Sequence, residues 1–212
     1  MSLIQKAYTY IREQILQGEF MPGTLLSEVE IAEQLGMSRT PVRSAMSQLE
    51  SQGYVVTMQN RGIFIKEINL KEMIDIIEIQ LAFQVMALKV IRETGEMPDL
   101  EAMRHHMEAQ LLATAEKDYF QYMQHANLFQ RCLIASSRNH VAIQMLDTLQ
   151  DKSMRFAIIN YKRTPHTPHF SANKLNQSIY DHLVAGEFEE IEALLNTVVE
   201  LSKRRLLELR MM

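Results

Sequence analysis

Two short amphipathic helices joined by a tight turn are predicted between residues 26 and 53. The first begins at Ser27, because a serine followed three residues later by Glu30 forms a capping box for free backbone amides. Gly36 ends this helix, since glycine adopts the positive φ of a helix C-terminus at little cost. The second helix is predicted to begin at Ser38, a favoured N-cap residue. Its apolar residues recur at i, i+3, i+4 and i+7 and form one buried stripe: Val42, Ala45, Met46 and Leu49.

A β-hairpin is predicted directly after the second helix. Residues 54–58 (YVVTM) and 63–66 (IFIK) are β-prone, and residues 59–62 (QNRG) are typical of a turn. Upstream of both helices, one apolar helical face predicts a further helix that ends near Gly18: Ile4, Tyr8, Ile11 and Ile15. The order helix, helix, helix, hairpin over residues 1–66 is that of a winged helix-turn-helix domain.

The polar face of the second short helix carries candidate DNA contacts. In a helix-turn-helix, the N-terminal residues of the second helix reach base edges and phosphates in the major groove. An arginine at the tip of a wing can enter the minor groove. The candidates are Arg39, Thr40, Arg43 and Ser47 on the helix, with Arg61 and Gly62 at the wing tip. The alternative is an ordinary surface helix that carries two arginines.

Charge and composition limit what the chain can do. The net charge of –4 argues against a nonspecific polyanion binder, so DNA binding must depend on clustered basic residues and on dimerisation. No window approaches the roughly 20 apolar residues of a membrane span. Cys132 is the single cysteine, which fits a reducing cytoplasm. A length of 212 residues suggests two modest domains.

Residues 71–212 are predicted to form an antiparallel α-helical bundle, after a linker at residues 67–70. Caps and apolar spacing predict six helices, at about 69–92, 99–116, 118–137, 139–161, 171–185 and 188–209. The fold is therefore expected to be mostly α, with a small β-hairpin wing in the N-terminal domain.

The run from Ile11 to Lys66 resembles the DNA-binding domain of the GntR family of bacterial transcription regulators. Separate blocks match in order: ILQGEFMPGTLLSE, IAEQLGMSRTPVR, LESQGYV and RGIFI. The resemblance implies DNA contacts from Ser38, Arg39, Thr40, Arg43 and Gly62. One departure is Val29, which stands where the family usually has a base-contacting arginine. Either the operator differs from the commonest family sequence or one guanine contact is missing.

The second half resembles the ligand-sensing FCD domain of the FadR-type branch of that family. The residues that carry this looser resemblance are Phe129, Leu133 and Asn139, then 179–181 (IYD) and 185–187 (AGE). In that family the bundle usually holds a metal through an aspartate and three histidines. The matching places here are Ala126, Gln130, Asn176 and Val198. Alanine and valine cannot ligate and amides are poor ligands for such metals, so the resemblance implies no metal cofactor.

Polar residues of the bundle remain candidates for an effector pocket. A family arginine that often meets an effector carboxylate corresponds to Gln80, so a metal-bound carboxylate is not the expected ligand. The candidate pocket residues are Gln80, Gln84, Gln130, Arg155 and Asn176. The alternative is that these amides satisfy one another in a ligand-free core. A substitute metal site is disfavoured, because His105 and His106 should point apart and His125 should face away from the family's metal place.

Together these features predict a cytoplasmic, homodimeric transcription factor that is not an enzyme. Its winged helix would read double-stranded DNA at an inverted-repeat operator, and its bundle would dimerise and bind a small-molecule effector without metal. Repression is favoured over activation, because a bulky dimer on an operator blocks polymerase. The alternative is a constitutive DNA-binding dimer that has lost effector sensing. An enzyme is disfavoured, because no nucleophile–base pair or phosphate loop is present.

Overall fold

The computed structural model describes residues 1–166 and 169–209. The chain divides into two compact units, Met1–Ile68 and Asn69–Met212. In the described residues, no helix is long and apolar enough to cross a membrane.

The N-terminal unit is a winged helix-turn-helix. Its elements in chain order are α1 (Leu3–Leu16), β1 (Leu25–Leu26), α2 (Glu28–Leu35), α3 (Arg39–Ser51), β2 (Val55–Met58) and β3 (Gly62–Ile65). The predicted hairpin is present as β2 and β3, which pair antiparallel. A third strand was not predicted: β1 pairs antiparallel with β3, so the strand order is β1-β3-β2. Two residues are too few to show the alternation that indicates a strand.

The core of this unit follows the predicted stripes with one correction. The four apolar residues of the α3 stripe are at most 1% exposed. On α1, Ile11 and Ile15 are fully buried as expected, but Ile4 is 43% exposed and Ala7 takes its place in the core. Ser27 Oγ accepts a hydrogen bond from the amide of Glu30 at 3.3 Å. Ser38 occupies the N-cap of α3, but its side chain makes no capping hydrogen bond. The residue is exposed to solvent.

Glycine is required at the start of β3. Gly62 has a φ of 105°, and a Cβ there would lie 2.6 Å from Cδ1 of Leu25. Gly62→Ala is expected to destabilise the N-terminal unit by about 1–3 kcal/mol, because a residue with a Cβ is strained at this φ, whereas the exposed end of the Leu25 side chain can move aside. Gly23→Ala is the matched comparison, since Gly23 has a φ of 83° and open space where its Cβ would lie. Urea unfolding should show similar losses in the free energy of unfolding for the two variants; no loss for Gly62→Ala would contradict the backbone strain.

The C-terminal unit is entirely helical in its described residues. The helices are α4 (Leu70–Thr94), α5 (Leu100–Glu116), α6 (Tyr119–Ala135), α7 (His140–Arg163), α8 (Ala172–Ala185) and α9 (Phe188–Leu209). Each predicted helix is present, with ends that differ from the prediction by a few residues. Four helices begin at a side chain that accepts a hydrogen bond from the amide three residues on: Asn69, Asp99, Asp118 and Asn139.

Two apolar clusters hold this unit together. The larger joins α4, α5, α6, α8 and α9 through buried residues that include Leu88, Met103, Phe129, Ile179 and Ile191. The smaller is rich in aromatic residues and joins α5, α6 and α7 through Ala113, Tyr119, Tyr122, Met154 and Ile158. The smaller cluster borders a cavity that opens partly to solvent, because Tyr119 and Tyr122 also line that cavity.

Candidate nucleic-acid interface and ligand cavity

The N-terminal part of α3 presents two arginines to solvent. The side chains of Arg39 and Arg43 are 58% and 64% exposed. They lie one helical turn apart and therefore on one face of α3. The remaining residues predicted to contact DNA are also exposed: Ser38, Thr40, Ser47, Arg61 and Gly62. This surface, α3 with the tip of the wing, has the layout that places a helix in the major groove.

Both arginines are held by one carboxylate. Glu28, the first residue of α2, accepts hydrogen bonds from Nε and Nη2 of Arg43, both at 2.9 Å. Nη2 of Arg39 donates to the same carboxylate at 3.3 Å. The bond from Arg43 is the main reason that the pKa of Glu28 lies below its usual value, so the carboxylate stays ionised at neutral pH. Sequence reasoning missed this pair, since Glu28 and Arg43 are 15 residues apart.

A second carboxylate connects the wing to α3. Glu50 near the end of α3 accepts hydrogen bonds from the amide and the hydroxyl of Thr57, at 2.6 and 3.0 Å. Thr57 lies in β2, the strand that leads to the wing tip. The carboxylate of Glu50 therefore fixes the wing, with Arg61 at its tip, relative to α3.

A cavity of about 510 Å³ that opens partly to solvent lies in the C-terminal unit. It is bounded by α4, α6, α7, α9 and the beginning of α8. Its apolar lining includes Met73, Ile77, Met123, Phe156 and Leu206. Its polar lining includes Gln80, Asn127, Ser153, Asn160 and Arg205. The volume and the mostly apolar lining are those of a small-molecule site.

Tyr119 and Tyr122 form an aromatic wall on one side of this cavity, and further rings pack against them. The rings of Tyr119 and Tyr161 stack with centroids 4.3 Å apart, and Phe170 meets Tyr122 edge-on at 4.9 Å. The amide of Ala172 donates a hydrogen bond to the hydroxyl of Tyr122 at 2.6 Å. Burial raises the pKa of Tyr122 to about 12, so its phenol is neutral at physiological pH. The hydroxyl of Tyr122 therefore adds no charge to this wall.

Of the five residues predicted to form an effector pocket, Gln80 is the one found among the described lining residues. Gln84 donates to the backbone oxygen of Gln80 at 3.3 Å. Gln130 accepts from Gln150 at 3.2 Å, and Asn176 donates to Gln110 at 2.8 Å. Arg155 is buried, with 2% of its surface exposed. Gln130 and Asn176 are thus each paired with an amide outside the predicted set, Gln150 and Gln110 respectively.

Family models match most of the chain. Residues 3–65 match the model described as "Bacterial regulatory proteins, gntR family", and residues 75–201 match the FCD domain. The chain is a member of the GntR family.

Relatives and solved structures of this family resemble the chain along much of its length. An HTH-type transcriptional regulator from the TAR-I ttuE-ttuC' intergenic region of Agrobacterium vitis is 34% identical over 54% of this chain and 69% of its own length. The repressor GlaR of Escherichia coli is 23% identical over 74% of this chain and 73% of its own length. A GntR transcriptional regulator from Rhodococcus sp. RHA1 is 25% identical, with a TM-score of 0.77 over 98% of this chain and 99% of that one.

At the metal-ligand places that the resemblance to FCD domains implies, the residues of this GntR-family chain do not fit a metal. Ala126 and Val198 have no ligating atoms, and the amide of Asn176 is already paired with Gln110. Within residues 1–166 and 169–209, no group of three or more histidine, cysteine, aspartate or glutamate side chains has metal-binding geometry. No chemical step through a metal is therefore assigned to this member of the family.

Three histidines of this GntR-family chain meet, although the sequence indicated that His105 and His106 would point apart. The Nδ1 atoms of His106 on α5 and His125 on α6 are 3.2 Å apart, and the His105 ring lies 5.3 Å from that of His106. Burial lowers the pKa of both His106 and His125, and the neighbouring rings lower it further. A hydrogen bond between two Nδ1 atoms requires at least one unprotonated ring. The pair therefore favours the neutral state.

The histidine pair should make the C-terminal unit less stable in acid. Because folding lowers both pKa values, the stabilisation is fully present above the ordinary pKa of about 6.5 and is lost as the pH falls through the lowered values. When the pH is lowered from about 7.5 to 5.5, the melting temperature should fall less for His125→Gln than for the wild type. His140→Gln, at an exposed histidine, is the control. Equal pH dependence of the melting temperature in all three proteins would contradict the assignment of the acid sensitivity to the pair of His106 and His125.

Proposed function

We propose that the protein is a homodimeric transcriptional repressor that acts in the cytoplasm, reads an inverted-repeat operator and responds to a small-molecule effector without metal. The family identifies it as a DNA-binding regulator. The observation that carries the proposal is the pair of exposed arginines at the N-terminal end of α3, held by Glu28 of α2.

DNA recognition is assigned to the exposed surface of α3 and the wing. Arg39, Arg43 and Thr40 face the bases and phosphates of the major groove, while Arg61 and Gly62 approach the minor groove. Ser38 and Ser47 contribute hydroxyl contacts. Since the chain carries a net charge of –4, one copy of this surface binds weakly. A two-fold dimer doubles the contacts and makes an inverted repeat the matching site.

Val29 is expected to change which operator is read. Its side chain is 44% exposed beside Glu28, at the place where the family usually has an arginine. An apolar side chain cannot donate to guanine but can contact the methyl group of thymine. The operator is therefore expected to lack the guanine that the commonest family sequence has at this position.

The cavity of the C-terminal unit is proposed as the effector site. Its volume of about 510 Å³ suits a small organic molecule, and its aromatic wall favours a ligand with an apolar body. Gln80, Asn127 and Asn160 supply hydrogen bonds for orientation. A ligand that binds this cavity more tightly in one state of the dimer changes DNA affinity by that difference.

The second candidate function is a constitutive DNA-binding dimer without sensing. The amide pairs Gln130–Gln150 and Asn176–Gln110 favour it, since each joins two side chains by a hydrogen bond without a ligand. A thermal-shift screen separates the two candidates. A ligand at 100 times its dissociation constant stabilises by about 2.7 kcal/mol. A broad metabolite set that never changes the melting temperature would favour the constitutive dimer.

DNA recognition is tested by selecting genomic fragments with the full-length protein at moderate salt. Enrichment of one inverted repeat is expected, with two copies of the chain on each repeat. Adjacent genes would then indicate plausible effectors for the screen. Fragments without a shared sequence would contradict the proposed function.

A further inference from the structure

We propose that Glu28 is a positioning residue that sets the base preference of the recognition helix, because it holds Arg43 so that the free edge of the guanidinium faces a guanine. The inference rests on the proposed function, since it requires α3 to lie in the major groove. It adds a residue of α2 to the specificity of a surface otherwise formed by α3 and the wing.

The geometry of the ion pair leaves one edge of Arg43 available. Nε and Nη2 of Arg43 each donate to Glu28 at 2.9 Å, which is the side-on arrangement of a guanidinium and a carboxylate. A guanidinium has five N–H groups, and this arrangement uses two of them. Of the other three, one on Nη1 and one on Nη2 form the end-on edge of the guanidinium, and the second on Nη1 points towards Cδ. That edge matches O6 and N7 of guanine, the commonest specific arginine contact in the major groove.

Glu28 also controls the second arginine. Nη2 of Arg39 makes a single 3.3 Å bond to the carboxylate oxygen that receives Nη2 of Arg43. Two arginines at i and i+4 repel each other on a helix, and a carboxylate between them offsets that repulsion. Glu28 therefore holds two cations close together at the end of α3 that enters the groove, before DNA is bound.

The placement of Glu28 favours selectivity over affinity. Its side chain is 16% exposed, and it begins α2, where the positive end of the helix dipole stabilises an anion. A carboxylate at a DNA-binding surface repels phosphates, so it weakens binding to every sequence. At the same time it orients Arg43 for one base. Ion pairs with an exposed partner contribute little to folding, so the effect is expected in DNA discrimination rather than in stability.

The test is a parallel selection with full-length wild type, Glu28→Gln and Glu30→Gln. Glu30 is an exposed residue of the same helical turn, so Glu30→Gln removes the same charge without breaking the pair. Wild type and Glu30→Gln are expected to enrich a repeat with a fixed guanine in each half-site. Glu28→Gln is expected to lose the preference at that guanine and to bind a scrambled duplex more tightly than the wild type does.

A base analogue separates positioning from a general loss of binding. Replacing the fixed guanine with 7-deazaguanine removes the N7 acceptor and should weaken wild-type binding about tenfold, but Glu28→Gln binding less than about twofold. A merely structural role of Glu28 would weaken binding to both duplexes equally. If one repeat is enriched but 7-deazaguanine weakens binding by the same factor in wild type and Glu28→Gln, the role of Glu28 is overturned and the proposed function stands. A wild-type selection without enrichment overturns the proposed function as well.

Discussion

Replacing Arg43 with alanine is expected to weaken operator binding roughly 5- to 150-fold for each half-site, while the proposed dimer stays intact. The side chain of Arg43 is 64% exposed and is oriented by Glu28, so its loss removes a preorganised contact rather than a mobile one. An inverted repeat presents the contact twice, and the two losses multiply. The buried stripe of α3 is untouched, because Arg43 lies on the opposite face.

Fluorescence anisotropy with the selected operator measures this loss, and sedimentation measures the oligomeric state. Lys6→Ala is the control, since it removes the same charge from an exposed position on α1. This control is expected to change affinity only slightly. Unchanged affinity for Arg43→Ala would mean that α3 is not the recognition helix. Equal losses of affinity in Arg43→Ala and Lys6→Ala would mean that binding depends on the net charge of the protein and not on the position of Arg43.

Restoring four ligands should give the C-terminal unit a metal site that its own residues do not form. The changes are Ala126→Asp, Gln130→His, Asn176→His and Val198→His. Positions 126 and 130 are one turn apart on α6, so an aspartate and a histidine there share a face. Position 176 lies on α8 and position 198 on α9, and α8 contacts both α6 and α9. An Asp–His₃ set suits zinc, nickel or manganese.

Metal analysis of the purified variant, followed by melting with and without chelator, tests this prediction. Free zinc at 100 times its dissociation constant should stabilise the variant by about 2.7 kcal/mol. The double variant Ala126→Asp, Gln130→His is the control, because two ligands on one helix hold a metal more weakly than four. A folded quadruple variant that retains no metal would show that the family's ligand places were assigned to the wrong residues.

Features of the fold that depend on neighbouring residues could be predicted from the sequence. The helices of the C-terminal unit were predicted because Asn69, Asp99, Asp118 and Asn139 each cap the helix that they begin. The buried face of α3 followed from helical spacing alone. By contrast, β1 was missed, because its two residues are ordered by pairing with β3, about 40 residues later in the chain.

Features of the sites that depend on distant residues could not be predicted. The cavity is bounded by α4, α6, α7 and α9, and which amides face it depends on how those helices are rotated. Gln80 faces the cavity, but Asn176 is paired with Gln110. The contact between His106 and His125 likewise depends on how α5 packs against α6. Helical spacing predicts on which face of its own helix a side chain lies. It does not predict which residue of a neighbouring helix that side chain contacts.

The most direct test of sequence-specific recognition compares affinities for the selected operator and for a scrambled duplex of the same length and composition. We expect the full-length protein to bind the operator at least about 10³-fold more tightly at physiological salt, with two chains on each operator. Binding that is equal for the two duplexes and that weakens in parallel with added salt would show that only phosphates are read. That result would contradict sequence-specific recognition of the operator.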